Sequence, residues 1–178
     1  MAHASPPDAH PVCRHCSFNS VTCDRNTAAE LLLYYAAQWR RVLTGPADLT
    51  RPGTGTPAWS TLEHGCHVRD MCLLFHQQLG AMLDASRDIA PSGVSTPLRY
   101  RDEDARHVAD ELERAATALA ARLTTLTADE WDRGDPRLPD LDLTLGVRTR
   151  HLLHDICHSL HGALRATRQP AEDGEHTW

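Results

Sequence analysis

The chain has 178 residues, 41% of them hydrophobic and 24% charged, with a formal net charge of −6. This composition suits one domain with a real core; no basic patch beyond Arg40–Arg41 favours nucleic acid, and no apolar run approaches the ~20 residues that span a membrane. The start, Met1-Ala-His-Ala-Ser-Pro-Pro7, carries no basic-then-apolar signal, so a cytoplasmic protein is expected, in which the six cysteines read as metal ligands or free thiols before disulfides.

Residues 1–12 are rich in Pro, Ala and His and read as a tail. Cys13-Arg14-His15-Cys16 follows, with Cys23 further on. A Cys-x-x-Cys turn lets two thiolates face one ion and is half of a zinc site. Local candidates to complete it are Cys23, His10 and His15; a redox pair, which would want a βαβ context, and unliganded thiols are the other readings. A first helix is expected over 27–43, opened by a Thr27–Glu30 capping box, with Leu32, Tyr35, Trp39 and Val42 on one face and Gly45-Pro46 as its stop. After a Gly-, Pro- and Thr-rich loop over 44–58, Trp59-Ser60 opens a second helix reaching about 86, with Ser60 and Glu63 as its capping box. Its buried stripe is Val68, Met71, Phe75, Leu79 and Met82. His67 lies at the edge of that stripe, as a core histidine or a ligand, and Asp70 follows one turn later, where a carboxylate could hold a ligating imidazole in the right tautomer.

A long crossing loop over 87–101 leads to a third helix, about 102–126, with the stripe Val108, Leu112, Ala115, Ala116, Leu119, Leu123 and Leu126. One further turn is expected over 127–131, capped by Thr127 and Glu130, then a loop over 132–143 and a fourth helix over 144–167. No repeat and no strand pattern is visible, so the fold class is all-α, a four-helix bundle. The domain plan is a tail with the Cys-x-x-Cys segment over 1–26, the bundle over 27–168 and a polar tail over 169–178.

The fourth helix carries His151, His154, His158 and His161, four of the chain's twelve histidines. At about 100° per residue they share one side. His154 and His158 form a His-x-x-x-His pair able to hold one ion from a single helix; the bland alternative is a run of solvated histidines. The apolar face, Leu152, Leu153, Ile156, Leu160, Ala163 and Leu164, is centred about 150° away from that pair. The pair is therefore expected to line a groove open in part to solvent.

Trp59-Ser60-x-x-Glu63-x-x-x-His67-Val68-x-Asp70, together with His154-Asp155-x-x-His158, resembles the DinB/YfiT-like superfamily, which includes mycothiol-dependent maleylpyruvate isomerases and related thiol S-transferases. The resemblance covers about residues 27–167 and implies a DinB-type bundle with a long crossover between the second and third helices. It also implies one divalent metal on His67, His154 and His158. Cys13 to Phe18 looks like a variant in which a small zinc-binding segment precedes the bundle. Zinc is the first expectation for the metal, with nickel or iron as alternatives. Three ligands leave open positions where a bound water ionises or a low-molecular-weight thiol binds as thiolate.

The leading functional expectation is thus a thiol-dependent, mycothiol-type S-transferase or isomerase acting on a small molecule, with no nucleic-acid or membrane partner and with room for a homodimer. A metal-dependent hydrolase is the first alternative; a non-catalytic zinc-binding regulatory or redox protein is the second. Asp70 and Asp155 are expected to orient the ligands without binding the metal, and His161 is the reserve ligand. Cys66 and Cys157 each directly precede a candidate histidine, and stepping back one residue on neighbouring helices turns both toward one flank. A second, structural zinc on Cys13, Cys16, Cys66 and Cys157 is the expectation that follows, against a local site of Cys13, Cys16 and Cys23 with His10 or His15.

Overall fold

The computed structural model describes residues 11–52, 59–84, 97–135 and 143–168. Among these the protein is all-α: α1 (Ala28–Leu43), α2 (Thr61–Leu83), α3 (Ala105–Thr124), the single turn α4 (Ala128–Trp131) and α5 (Leu145–Arg168). Pairing of the β type is limited, among the described residues, to isolated bridges such as Val12 with Asn19. The four long helices form a ring in the order α1, α3, α2, α5, with α1 and α2 touching only lightly across the middle. Trp39 and Leu32 of α1, Val68 and Leu79 of α2, Leu112 and Leu119 of α3, and Leu153 and Ile156 of α5 are all buried to within 1% in the centre.

Local chemistry sets most helix ends. Ser60 accepts from the Glu63 N–H while the Glu63 carboxylate accepts from the Ser60 N–H, a closed capping box, and Thr127 with Glu130 repeats it at α4. The expected box at Thr27 does not form. Asp24 lies just upstream and its Oδ1 accepts from the N–H groups of Asn26 and Thr27, so the chain turns one step earlier and the Thr27 hydroxyl donates to the Thr22 carbonyl at 2.9 Å instead. Asp104 caps α3, which starts later than expected because Pro97–Asp102 forms a separate 3₁₀ turn. Gly146 lets the Trp131 indole lie directly on the α5 backbone; any Cβ there would collide with the ring. The expected loops over 44–58, 87–101 and 132–143 and the N-terminal tail fall partly outside the described residues, and the tail over 169–178 falls wholly outside them.

A buried polar cluster fastens the 3₁₀ turn. Arg69, with a side chain only 9% exposed, donates to Asp70 at 2.9 Å and to Glu111 of α3 at 2.9 Å, and the Tyr100 hydroxyl donates to the other Asp70 oxygen at 2.8 Å. Residues 11–26 form a short hairpin laid against the bundle. The Cys13 N–H donates to the Phe18 carbonyl and the Ser17 N–H to the Cys13 carbonyl, both at 2.8 Å, and Ser17 takes the left-handed conformation (φ 60°) that closes so tight a turn. Phe18 and Cys23 are the hairpin's apolar anchors in the core.

Candidate metal centre

The hairpin brings Cys13 and Cys16 to α5. Donor atoms of Cys13, Cys16, His154 and His158 lie within 4.8 Å of one another. Each pair has a simple local origin: the Cys-x-x-Cys turn aims two sulfurs one way, and the four-residue spacing stacks two imidazoles on one face of α5, ring centroids 5.6 Å apart. Phe18 packs on the His154 ring at 5.6 Å, and His15 meets His158 edge-on at 6.0 Å, so the turn is seated over both rings.

The polar atoms fit an ion. His154 Nδ1 faces Asp155 Oδ1 at 3.5 Å, while its Nε2 is buried and without a hydrogen-bond partner. A buried imidazole nitrogen in that condition is costly unless something is bound to it. The Cys13 thiol is pulled down to about 5, first by the Cys16 backbone N–H and then by His154, while burial pushes Cys16 up to about 12, with Cys13 and Cys157 adding to it. Neighbouring thiolates repel, so both ionise together only around a cation. Two soft sulfurs and two imidazoles can hold such a metal ion.

The remaining expected residues are distributed differently. His67 is half-buried on α2 with its ring edge-on to Trp59 at 5.0 Å, and among the described residues it does not join the four-ligand cluster. Burial holds both His64 and His67 below the usual imidazole range, and Asp155 and His158 of α5 lie close enough to bias them electrostatically. Asp155 is beside His154 as expected, but Asp70 is engaged by Arg69 and Tyr100 in the cluster described above.

The expected four-thiol set is not brought together. Cys66 is fully buried near Arg69, Glu103 and Asp70, toward the 3₁₀ turn, whereas Cys157 donates to the Cys16 carbonyl at 3.7 Å, toward the hairpin. Cys66 does not turn to the flank shared with Cys157 because α2 buries a wider face than its stripe, including Leu62, Cys66 and Cys72. Cys23 is also apart, 1% exposed in the core, where burial pushes its thiol up to about 11. His151 and His161 are exposed. His151 lines a separate groove of about 320 Å³ between α2 and α5, with Met71, Phe75 and Arg148.

In the sequence alone the cysteine turn and the histidine pair read as parts of two centres. The signal that joins them is donor arithmetic: two thiols in one turn and two imidazoles on one helix face complete a single four-coordinate set. Comparison with protein-family models, with curated proteins and with solved structures finds no match to this chain.

Proposed function

We propose that this is a zinc-binding helical protein in which a closed Cys₂His₂ centre, Cys13, Cys16, His154 and His158, clamps the N-terminal hairpin onto α5, and that holding and releasing the hairpin is its working role. The observation that carries this reading is the convergence of the four donor atoms within 4.8 Å. Two thiolates and two imidazoles suit tetrahedral zinc, and four protein ligands leave no open position for a reacting water or substrate. That favours a structural or regulatory metal over a catalytic one. Metal analysis of the purified chain should give one zinc per chain. Cobalt substituted for it should show the thiolate charge-transfer and tetrahedral bands of a mixed sulfur–nitrogen site. A Cys13→Ser, Cys16→Ser double variant that keeps its full metal would overturn the reading.

A second reading is supported by His67, which stands under Trp59 with Asp155 nearby, and by the resemblance to DinB-like thiol-dependent enzymes. In it His67 joins His154 and His158, the cysteines leave, and the opened metal activates a low-molecular-weight thiol for S-transfer or isomerisation, or a water for hydrolysis. The same double variant separates the two. Metal retention with appearance of mycothiol or glutathione conjugation, or of ester hydrolysis, supports the enzyme; metal loss with no activity supports the clamp.

A further inference from the structure

Cys157 is the thiol that the four-ligand set does not use. It sits on α5 directly before His158 and is 9% exposed. It donates to the Cys16 carbonyl at 3.7 Å and lies within hydrogen-bonding reach of the Cys16 sulfur and the Tyr35 hydroxyl. Cys66 and Cys72 are enclosed in the core with no exposure, and Cys23 is 1% exposed. Cys157 is therefore the spare thiol at the edge of the centre, and its neighbour Cys16 is only partly buried.

We propose that Cys157 is the resolving thiol of this centre, so that oxidation joins Cys16 to Cys157, expels the zinc and leaves the hairpin covalently tied to α5. This rests on the Cys13–Cys16–His154–His158 reading of the metal. The oxidant is a hydroperoxide. Cys16, held as a thiolate in the metal-bound state, attacks the terminal oxygen; the O–O bond breaks, and the alkoxide or hydroxide leaves and takes a proton from solvent. The Cys157 thiol then attacks the Cys16 sulfenic acid; the S–S bond forms and the hydroxyl departs as water with the Cys157 proton. In sum, two thiols and one hydroperoxide give one disulfide, one alcohol and one water, or two waters from hydrogen peroxide. Zinc, having lost a thiolate ligand, dissociates.

The competing product is a Cys13–Cys16 disulfide, and the two have opposite consequences. A Cys13–Cys16 bond lies within the hairpin and lets it swing away. A Cys16–Cys157 bond crosses from hairpin to helix and keeps the hairpin docked without metal. Cys157 can attack without first leaving the metal, because it lies against Cys16 and is not one of the four ligands.

The test treats the zinc-loaded full chain with hydrogen peroxide, reads released zinc with a chromogenic chelator, and locates the disulfide by mass spectrometry of a non-reduced tryptic digest. Cleavage after Arg14, Arg25, Arg150 and Arg165 puts Cys13, Cys16 and Cys157 on three different peptides; fragmentation distinguishes Cys16 from Cys23. The expected result is zinc release with a Cys16–Cys157 cross-link, reversed by a dithiol and zinc. In Cys157→Ser the untreated protein holds one zinc, and after peroxide the cross-link to α5 is lost and the hairpin becomes open to protease. A parent chain that gives only Cys13–Cys16, or a Cys157→Ser variant that stays protease-resistant after releasing zinc, overturns the proposal while leaving the metal centre intact. A parent chain without zinc before any peroxide is added overturns the metal centre itself.

Discussion

The two sides of α5 are built by different physics. Its inner side, with Leu153, Ile156 and Leu160 buried against the other helices, is held by apolar contact shared among four long elements. Its outer side meets a hairpin too short to have a core of its own, anchored by Phe18 and Cys23 and otherwise closed by Cys13 and Cys16 over His154 and His158. A difference in dependence follows: the bundle should stand without metal, and the hairpin should not. The largest effect that could break this contrast is ligand loss. Cys16→Ser or His154→Ala should lower metal affinity by more than the about 10–100-fold typical of residues that only orient a ligand. Circular dichroism should retain the helices while limited trypsin cuts at Arg14 and Arg25. Global unfolding on chelation would show that the two sides are not separable.

The reverse experiment strikes the inner side. Leu119 of α3 has no exposed surface, and Leu119→Ala should cost about 2–5 kcal/mol through lost burial and the cavity left behind. The denaturation midpoint should fall while metal stoichiometry stays at the parent value. Reduced stoichiometry in the folded variant would mean that the metal centre senses core packing at a distance.

Two carboxylates sharpen the comparison further. Asp155 faces His154 at 3.5 Å, so Asp155→Asn should weaken metal binding by about 10-fold with little change in stability. Asp70 accepts from Arg69 and from the Tyr100 hydroxyl, so Asp70→Asn should leave metal affinity alone and destabilise the fold by about 1–3 kcal/mol. Competitive chelator titration and urea melts on both variants give the four numbers needed. An Asp70→Asn loss of metal equal to that of Asp155→Asn would return Asp70 to the site.

How much of this was legible in the sequence depended on whether the deciding contact was local. The Ser60–Glu63 and Thr127–Glu130 caps and the placing of His154 and His158 side by side follow from spacings of three or four residues and appear as expected, while helix ends set by other contacts shift by a few residues, as at the start of α3. The Thr27 cap failed because Asp24, equally local, takes the Thr27 N–H that Glu30 would have reached, and the Thr27 hydroxyl turns to the Thr22 carbonyl. The partners of Cys13 and Cys16 lie more than a hundred residues away, and periodicity on either segment says nothing about which distant segment meets it. The same limit applies to Cys66: a stripe drawn on one helix cannot show that α3 and the 3₁₀ turn cover a second side of it.

Acid offers the last and smallest test, because it acts on the two sides through different groups. Binding requires two thiolates and two neutral imidazoles, so protons compete directly with the ion, and acid opens the hairpin as the metal leaves. The bundle's own acid-sensitive point is a buried carboxylate. The Glu63 side chain is 6% exposed; burial alone would raise its pKa, but the Ser60 N–H at 2.7 Å and Arg101 at 3.1 Å outweigh burial and hold it below the usual glutamate range. A depressed folded-state pKa means that the unfolded chain takes up the proton more readily. The contribution of the ionised carboxylate is therefore complete above the unfolded value of about 4.5 and disappears as pH falls through the lower, folded one. Glu63→Gln should lose about 1 kcal/mol at pH 7 and show correspondingly less loss on going to about pH 3. Urea midpoints of the chelated parent and variant at both pH values measure the difference of differences, and chelation keeps the metal out of the result. Equal acid sensitivity in the two chains would mean that the box at the start of α2 holds its geometry without the charge, and that the bundle's response to acid comes from elsewhere in the ring.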